Sequence, residues 1–167
     1  RPDRVPVRVA TYNVHNETSY DDARAAVRRL LPRADVIGLQ EFENPNRTPI
    51  VAGLADAGWG YWKPYGGDPV IFDEAKFDFL SAKAEEISPA GAVEDPKNGY
   101  ARKEVRNSYA TVVRLWHEPS RSRVTVVNVH LIARATKDGR PAGEVPTRVR
   151  FYKSEMRAVA ALVAREQ

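Results

Sequence analysis

Three apolar runs of the chain end in polar side chains that are suited to metal or phosphate chemistry. The first run reaches Asn13, the second reaches Glu41 and the third reaches His130, which supply an amide, a carboxylate and an imidazole. Carboxylate and amide oxygens are ligands for hard cations such as Mg²⁺, and an imidazole N–H can donate to a phosphate oxygen. The residue types therefore indicate a hard cation beside a phosphate.

The elements expected to position these side chains are β-strands, because each run is short, apolar and rich in β-branched residues. We expect strands over residues 7–14, 36–39 and 123–131. Side chains at the carboxyl ends of strands lie at the rim of a sheet, outside the packed core but on a rigid backbone. The three side chains should therefore meet at one rim, with Glu41 next to Asn13 if the first two strands are parallel.

Helices are expected between and after these strands. Ser19 can cap a helix over residues 21–31, since two acidic residues occupy its first turn. A second helix should begin at Thr48, with a proline at its first position, and end at Gly58. A third helix near the carboxyl terminus is predicted by apolar residues at steps of three and four, which are Val149, Tyr152, Met156, Val159 and Val163.

The middle of the chain predicts antiparallel strands. Residues 109–116 should pair with residues 123–131 around a turn at Glu118-Pro119-Ser120. Residues 88–107 are polar and rich in glycine, proline and charge, which predicts a long exposed loop. Strand and helix early, followed by antiparallel strands, indicate an α/β protein built in layers. Further strands are expected over residues 61–65, 69–72 and 77–87.

Composition limits the classes of protein to which the chain can belong. A chain of 167 residues that is 43% hydrophobic fits one globular domain. Its 26 Lys and Arg against 22 Asp and Glu give a formal net charge of +4, which favours anionic partners, although a solvated basic surface explains the same balance. The absence of cysteine excludes disulfides and thiolate metal sites, and without 18 consecutive apolar residues we expect no transmembrane segment.

The segments around these candidate residues resemble motifs of the endonuclease/exonuclease/phosphatase superfamily, a group that includes pancreatic deoxyribonuclease. The resemblance lies in residues 10–14, 35–41, 69–77 and 127–131, which follow one another in the superfamily's order and spacing. It implies a four-layer α/β/β/α sandwich of the deoxyribonuclease-like type. This chain would supply about the first two-thirds of such a single domain over residues 1–167, with the first sheet and part of the second.

The resemblance also implies roles for individual residues. Glu41 would be the principal carboxylate ligand of Mg²⁺ or Mn²⁺, with Asn13 beside the metal. His130 would act in catalysis as a hydrogen-bond donor to the scissile phosphate. Asn128 lies two residues earlier on the same face of the strand and would support it. Two more residues fall where some relatives place a polar contact to the substrate phosphate, Arg106 and Asn107.

The chain departs from the superfamily pattern after its last helix. The superfamily continues into a strand that ends in Gly-Asp-Phe-Asn and later reaches a closing Ser-Asp-His, and neither occurs in these 167 residues. In the superfamily those segments position the attacking water and supply the general base. This chain alone is therefore expected to lack the general base, and a second polypeptide segment could complete the domain.

The sequence thus predicts a divalent-metal-dependent hydrolase of phosphodiester or phosphomonoester bonds, with the basic composition favouring a nuclease and a nucleic acid substrate. Two alternatives stay open: a lipid or inositol-phosphate phosphoesterase, and a non-catalytic fragment that binds phosphate or nucleic acid. Each candidate residue also has a structural explanation. Asn13 could make a strand-end turn, Glu41 could be a solvated carboxylate and His130 could be a strand-edge histidine.

Overall fold

Strands and helices alternate through the first half of the chain, as its apolar periodicity requires. The computed structural model describes residues 5–167. The strands in this part of the chain are β1 (Val9–Asn13), β2 (Val36–Gln40), β3 (Trp59–Trp62), β4 (Val70–Asp73), β5 (Phe77–Ser88), β6 (Gly91–Asp95), β7 (Ala101–Val105), β8 (Ser108–His117), β9 (Ser122–Val129), β10 (Thr136–Lys137) and β11 (Arg140–Pro141). The α-helices in the same range are α1 (Tyr20–Leu30), α2 (Thr48–Ala52) and α3 (Pro146–Glu166).

The chain folds into two compact units. The first contains the residues up to Ala84 together with Thr111–Val129, and the second contains Glu85–Ala110 together with His130–Gln167. Within residues 5–167, no helix is both long enough and apolar enough to cross a membrane.

The first unit is built on a four-stranded sheet in the order β1-β2-β4-β3. β1 and β2 pair in parallel with Asn13 opposite Gln40, which confirms the pairing that we expected from the strand–helix–strand pattern. β4 pairs antiparallel with both β2 and β3. Every residue of β2 is buried, which explains why this segment is a continuous apolar run rather than an alternating one.

The helices of the first unit cover one face of this sheet. α1 is capped as predicted, since the Ser19 hydroxyl accepts a hydrogen bond from the Asp22 N–H. α2 is shorter than predicted: it ends at Ala52, before Gly53, because glycine stabilises a helix poorly. A separate 3-10 turn then leads to Gly58. A core of buried apolar side chains joins helices and sheet, including Val27, Ile37, Leu39, Ile50, Val51 and Leu54.

The opposite face of the four-stranded sheet packs against a second sheet in the order β5-β8-β9. Val36 and Val70 from the first sheet meet Val113 and Leu115 of β8 in a second buried cluster. The first unit thus has a helical layer followed by two stacked sheets. This arrangement confirms the predicted α/β fold class with its packed sheets.

The second unit combines the hairpin β6–β7 with helix α3. The predicted exposed loop over residues 88–107 is wrong, because Gly91 to Asp95 pair with Ala101 to Val105. The sequence pattern does not predict this hairpin, because β7 is exposed along most of its length and lacks apolar alternation. The Glu94 carboxylate accepts hydrogen bonds from the N–H groups of Thr147 and Arg148, at 3.1 and 3.2 Å, and so caps the first turn of α3.

Candidate functional site

The carboxyl ends of β1 and β2 form a rim with an unusual backbone. Glu41 follows β2 directly and has a φ of 62°, and His15 follows β1 with a φ of 56°. Both values lie in the left-handed region, which is uncommon for residues other than glycine. Such conformations cluster at functional sites, so this rim is a candidate functional site of the first unit.

Hydrogen bonds from the last residue of β1 and from the segment that follows it fix the Glu41 carboxylate. Asn13 Nδ2 donates to Glu41 Oε1 at 2.8 Å, and the Asn16 N–H donates to Glu41 Oε2 at 2.6 Å. The side-chain oxygen of Asn13, Oδ1, in turn accepts a hydrogen bond from the His15 N–H at 2.8 Å, which sets the orientation of the Asn13 amide. Both carboxylate oxygens are therefore directed by the segment that follows β1, and Asn13 and Glu41 lie together as predicted from parallel strands.

A buried arginine, which the sequence analysis did not identify, holds the two segments of this rim together. Arg47 is only 4% exposed, and its guanidinium lies 5.8 Å from the centre of the Phe42 ring. It donates to the Glu41 carbonyl at 2.8 Å and to three carbonyls of the segment after β1, those of His15, Asn16 and Thr18. Arg47 thus couples the backbone of Glu41 to that of its hydrogen-bond partners.

Asn128 is buried behind the rim, with 5% of its surface exposed. Its Nδ2 donates to the carbonyls of Leu39 at 2.8 Å and Pro69 at 3.0 Å, and its Oδ1 accepts from Gln40 Nε2 at 2.6 Å. A Cβ at Gly38 would lie 2.7 Å from Asn128 Oδ1, so the glycine makes room for this amide. Both N–H donors of Asn128 are engaged by backbone carbonyls, which is the pattern of a residue that ties β9 to the first sheet.

An acidic pair that the sequence analysis did not identify also lies in the first unit. Oxygens of the exposed Glu43 and the buried Asp68 lie within 4.8 Å of each other. Asp68 Oδ1 accepts the Phe42 N–H at 2.9 Å, which attaches the β3–β4 loop to the residue after Glu41. Burial lowers the pKa of Lys63, and the charges of Asp68 and Glu43 oppose that shift. This acidic pair provides carboxylate oxygens of the kind that hard cations bind.

The other predicted site residues belong to the second unit. His130 follows β9, is half-buried and lines a cavity of about 200 Å³ together with Phe151 and Glu155. The Glu155 carboxylate, 1% exposed, accepts the Ile132 N–H at 2.9 Å on one side of this cavity. The two predicted substrate-binding residues lie between β7 and β8, where both are exposed and one donates to Glu86 Oε2 at 2.6 Å; they are Arg106 and the donor Asn107.

Several solved structures are similar to this chain in fold. An endonuclease/exonuclease/phosphatase from Bacteroides vulgatus matches with a TM-score of 0.61 and 15% identity, over 96% of this chain and 59% of its own. The catalytic domain of human Nocturnin with a bound sulfate anion matches with a TM-score of 0.54 and 16% identity, over 77% and 52%. TDP2 from D. rerio, complexed with a single-strand DNA product, matches with a TM-score of 0.53 and 17% identity, over 79% and 48%.

At these identities the likeness shows the fold alone: the chain folds like an endonuclease/exonuclease/phosphatase and like the catalytic domain of Nocturnin. No protein-family model and no curated protein matches this sequence. The chain spans between about half and three-fifths of the length of the solved structures described above.

Proposed function

We propose that this chain, which has the endonuclease/exonuclease/phosphatase fold, belongs to a hydrolase of phosphoester bonds that depends on a divalent metal and acts on nucleic acid. One observation carries the proposal: the Glu41 carboxylate is oriented by Asn13 and Asn16 at the carboxyl ends of two parallel strands. Ligands of open α/β sheets bind at this edge. The left-handed backbone of Glu41 supports a functional rather than a packing role.

The donor chemistry of the rim fits a hard divalent cation. Glu41 supplies carboxylate oxygens, and a carboxylate has about four acceptor positions, so it can keep its two hydrogen bonds and still bind a cation. Glu41 would hold the metal, and Asn13 would orient Glu41, since the Asn13 amide nitrogen faces the carboxylate. When bound, Mg²⁺ or Mn²⁺ polarises a phosphoryl oxygen and stabilises the leaving oxygen.

The remaining predicted residues have roles around the phosphate in this proposal. His130 donates a hydrogen bond to a phosphate oxygen where negative charge increases in the transition state. Arg106 and Asn107, both exposed, contact phosphates of the substrate. Asn128 is a positioning residue rather than a catalytic one, because its amide is engaged by Leu39, Pro69 and Gln40 immediately before Glu41.

Two further observations favour nucleic acid as the substrate. The net charge of +4 attracts polyanions more strongly than small monoanions. TDP2, one of the proteins with the same fold, was solved with a single-strand DNA product. Hydrolysis of phosphodiester bonds in a nucleic acid is therefore the activity that agrees with the fold, the net charge and the geometry of the rim.

Mn²⁺ binding followed by electron paramagnetic resonance tests the metal assignment without requiring turnover. The wild-type protein should bind Mn²⁺, and Glu41→Gln should weaken that binding at least about tenfold while the far-ultraviolet circular dichroism stays unchanged. Glu118→Gln is the matched control, since Glu118 is exposed and lies in the β8–β9 turn, where its N–H donates to Lys76. Loss of binding in Glu43→Gln with retention in Glu41→Gln would instead move the metal to the Glu43–Asp68 pair and contradict the assignment.

The proposed role of His130 is tested by His130→Ala. The free energy of unfolding, measured by thermal denaturation, should change by no more than about 1 kcal/mol, as for most surface positions. In the full-length protein, turnover of bis(p-nitrophenyl) phosphate with Mg²⁺ should fall at least about a hundredfold, as when one transition-state donor is removed. If stability collapses while the folded fraction keeps normal turnover, His130 is a packing residue and the proposed role is wrong.

A further inference from the structure

The β3–β4 loop presents a tyrosine to solvent. Tyr65 is fully exposed, and it is the most exposed of the large apolar and aromatic side chains in the described part of the chain. An aromatic ring that is wholly in water offers a large flat surface to a partner. The Tyr65 ring is therefore available to stack against a ligand, and its place in the fold decides which ligand could reach it.

The turn that carries Tyr65 is rigid. The Gly67 N–H donates to the Pro64 carbonyl at 3.1 Å, and Gly66 has a φ of 63°, as the third position of a type II turn requires. A Cβ at Gly67 would lie 2.5 Å from the Pro64 ring, so the turn is closed by close contact with a glycine. A ring on a preorganised turn loses little conformational entropy when it binds.

The same loop is attached to the proposed metal rim. Asp68 Oδ1 accepts the N–H of Phe42, the residue that follows Glu41, and the Asp68 carbonyl accepts the Thr111 hydroxyl at 2.7 Å. Asp68 is three positions after Tyr65 in the chain, and three residue steps span at most roughly 10 Å. Tyr65 thus lies within a few nucleotides of a phosphate bound at Glu41.

We infer that Tyr65 is a base-stacking residue, which binds an unpaired nucleobase of a single-stranded nucleic acid whose backbone passes Glu41. The inference rests on the proposed function and narrows its substrate class to single strands. Stacking on an exposed ring is available to every base, but only when the base is not paired within a duplex. A small phosphomonoester at Glu41 would have no part that could reach the ring.

The test measures binding by fluorescence anisotropy of a labelled 15-residue thymidine oligonucleotide, in EDTA so that no hydrolysis occurs. Tyr65→Ala should weaken binding about tenfold, within the range found for the loss of one stacked base. Tyr65→Phe keeps the ring and should bind within about twofold of the wild type. Tyr20→Ala removes another exposed tyrosine of the same unit and should have no effect.

A second substrate isolates the stacking contact. An abasic oligonucleotide of the same length has the backbone but no bases, and the wild type should bind it no more tightly than Tyr65→Ala does. Equal binding of the thymidine oligonucleotide by the wild type and Tyr65→Ala would overturn the inference. An equal effect of Tyr65→Ala on the abasic strand, or on a duplex, would also overturn it.

Failure of this inference can be distinguished from failure of the proposed function. Hydrolysis of bis(p-nitrophenyl) phosphate and binding of Mn²⁺ depend on Glu41 and should be unchanged in Tyr65→Ala. If Glu41→Gln keeps both properties, the proposed function fails whatever the oligonucleotide binding shows. If both are lost in Glu41→Gln while Tyr65→Ala binds the oligonucleotide normally, only the stacking role is wrong.

Discussion

The two ends of β2 are each flanked by one acidic residue, and the protein holds these residues in different ways. Asp35 precedes the strand, is 2% exposed and forms ion pairs with Arg8 at 2.7 Å and Lys76 at 2.6 Å. Burial by itself would raise the pKa of Asp35, but the hydrogen bonds from Arg8 and Lys76 outweigh it and hold this pKa well below its usual value. Asp35 is thus a buried anion whose charge is matched by two cations.

Glu41 follows the same strand and is oriented by neutral groups. Its carboxylate accepts from the Asn13 amide and from the Asn16 N–H, and its backbone is held by Arg47 in a left-handed conformation. A side-chain amide and a backbone N–H thus fix the direction of this carboxylate. The two ends of β2 therefore carry a carboxylate that stabilises the fold and a carboxylate that the proposed function assigns to a metal.

The largest expected effect is the loss of activity in Glu41→Gln. In the full-length protein, turnover of bis(p-nitrophenyl) phosphate should fall at least about a thousandfold, because loss of even one transition-state donor costs about 10²–10³ and Glu41 is the proposed metal ligand. Urea unfolding should give a free energy within about 1 kcal/mol of the wild type. Full turnover in a folded Glu41→Gln protein would show that Glu41 is not the metal ligand and that the two ends of β2 do not differ in function.

Asp35→Asn should have the opposite profile. The substitution removes the anion that Arg8 and Lys76 share, and because both cations are partly exposed and can be solvated, we expect a cost of roughly 2–3 kcal/mol. Mn²⁺ binding per folded molecule should stay unchanged, since Asp35 lies at the other end of the strand. Urea unfolding and Mn²⁺ titration on the same preparation measure both properties, and an undiminished stability would remove the structural half of the comparison.

Local patterns explain why much of the first unit could be predicted. The apolar runs predicted β1 and β2, Ser19 predicted the start of α1, and the position of Asn13 and Glu41 at strand ends predicted that they would meet. These features depend on residues that are neighbours in sequence or on one parallel pairing. The resemblance to a known fold added the sheet arrangement that local patterns alone could not order.

The missed features depend on contacts between distant residues. Arg47 contacts a carbonyl 32 residues away, and the bond from Phe42 to Asp68 joins residues 26 apart. Neither side chain belongs to a periodic apolar pattern or a motif, so the sequence carries no local signal of its partner. The β6–β7 hairpin was missed because β7 is mostly exposed and polar, so it shows no apolar alternation, and its pairing with β6 has no local signal.

Asn128 supports the Glu41 end of β2, and its removal should lower the free energy of unfolding by less than the removal of Asp35 does. Asn128→Ala leaves the Leu39 and Pro69 carbonyls and the Gln40 amide without their buried partner, which should lower the free energy of unfolding by about 2 kcal/mol. Mn²⁺ affinity should fall only a few-fold, because Glu41 itself remains. A loss of Mn²⁺ binding as large as that of Glu41→Gln would make Asn128 part of the metal site instead.

Acid titration provides the most sensitive comparison of the two carboxyl groups whose pKa values are lowered, those of Asp35 and Glu94. Hydrogen bonds from Thr147 and Arg148 outweigh the effect of burial and lower the pKa of Glu94 to about 2, and the pKa of Asp35 is also lowered. In both cases the unfolded chain binds the proton more readily, so the stabilisation is present above the unfolded pKa values and is lost as the pH falls through the folded ones.

The free energy of unfolding, measured by urea at pH values from 5 down to 2.5, should therefore decrease as the pH falls. Each lowered carboxyl contributes a slope of up to about 1.4 kcal/mol per pH unit. Asp35→Asn and Glu94→Gln should each give a shallower dependence than the wild type, because each removes one group that gains its proton on unfolding. A slope unchanged in Asp35→Asn would mean that the Arg8 and Lys76 contacts persist in the unfolded chain or contribute nothing to folding. The amino end of β2 would then lack the electrostatic stabilisation that distinguishes it from the Glu41 end.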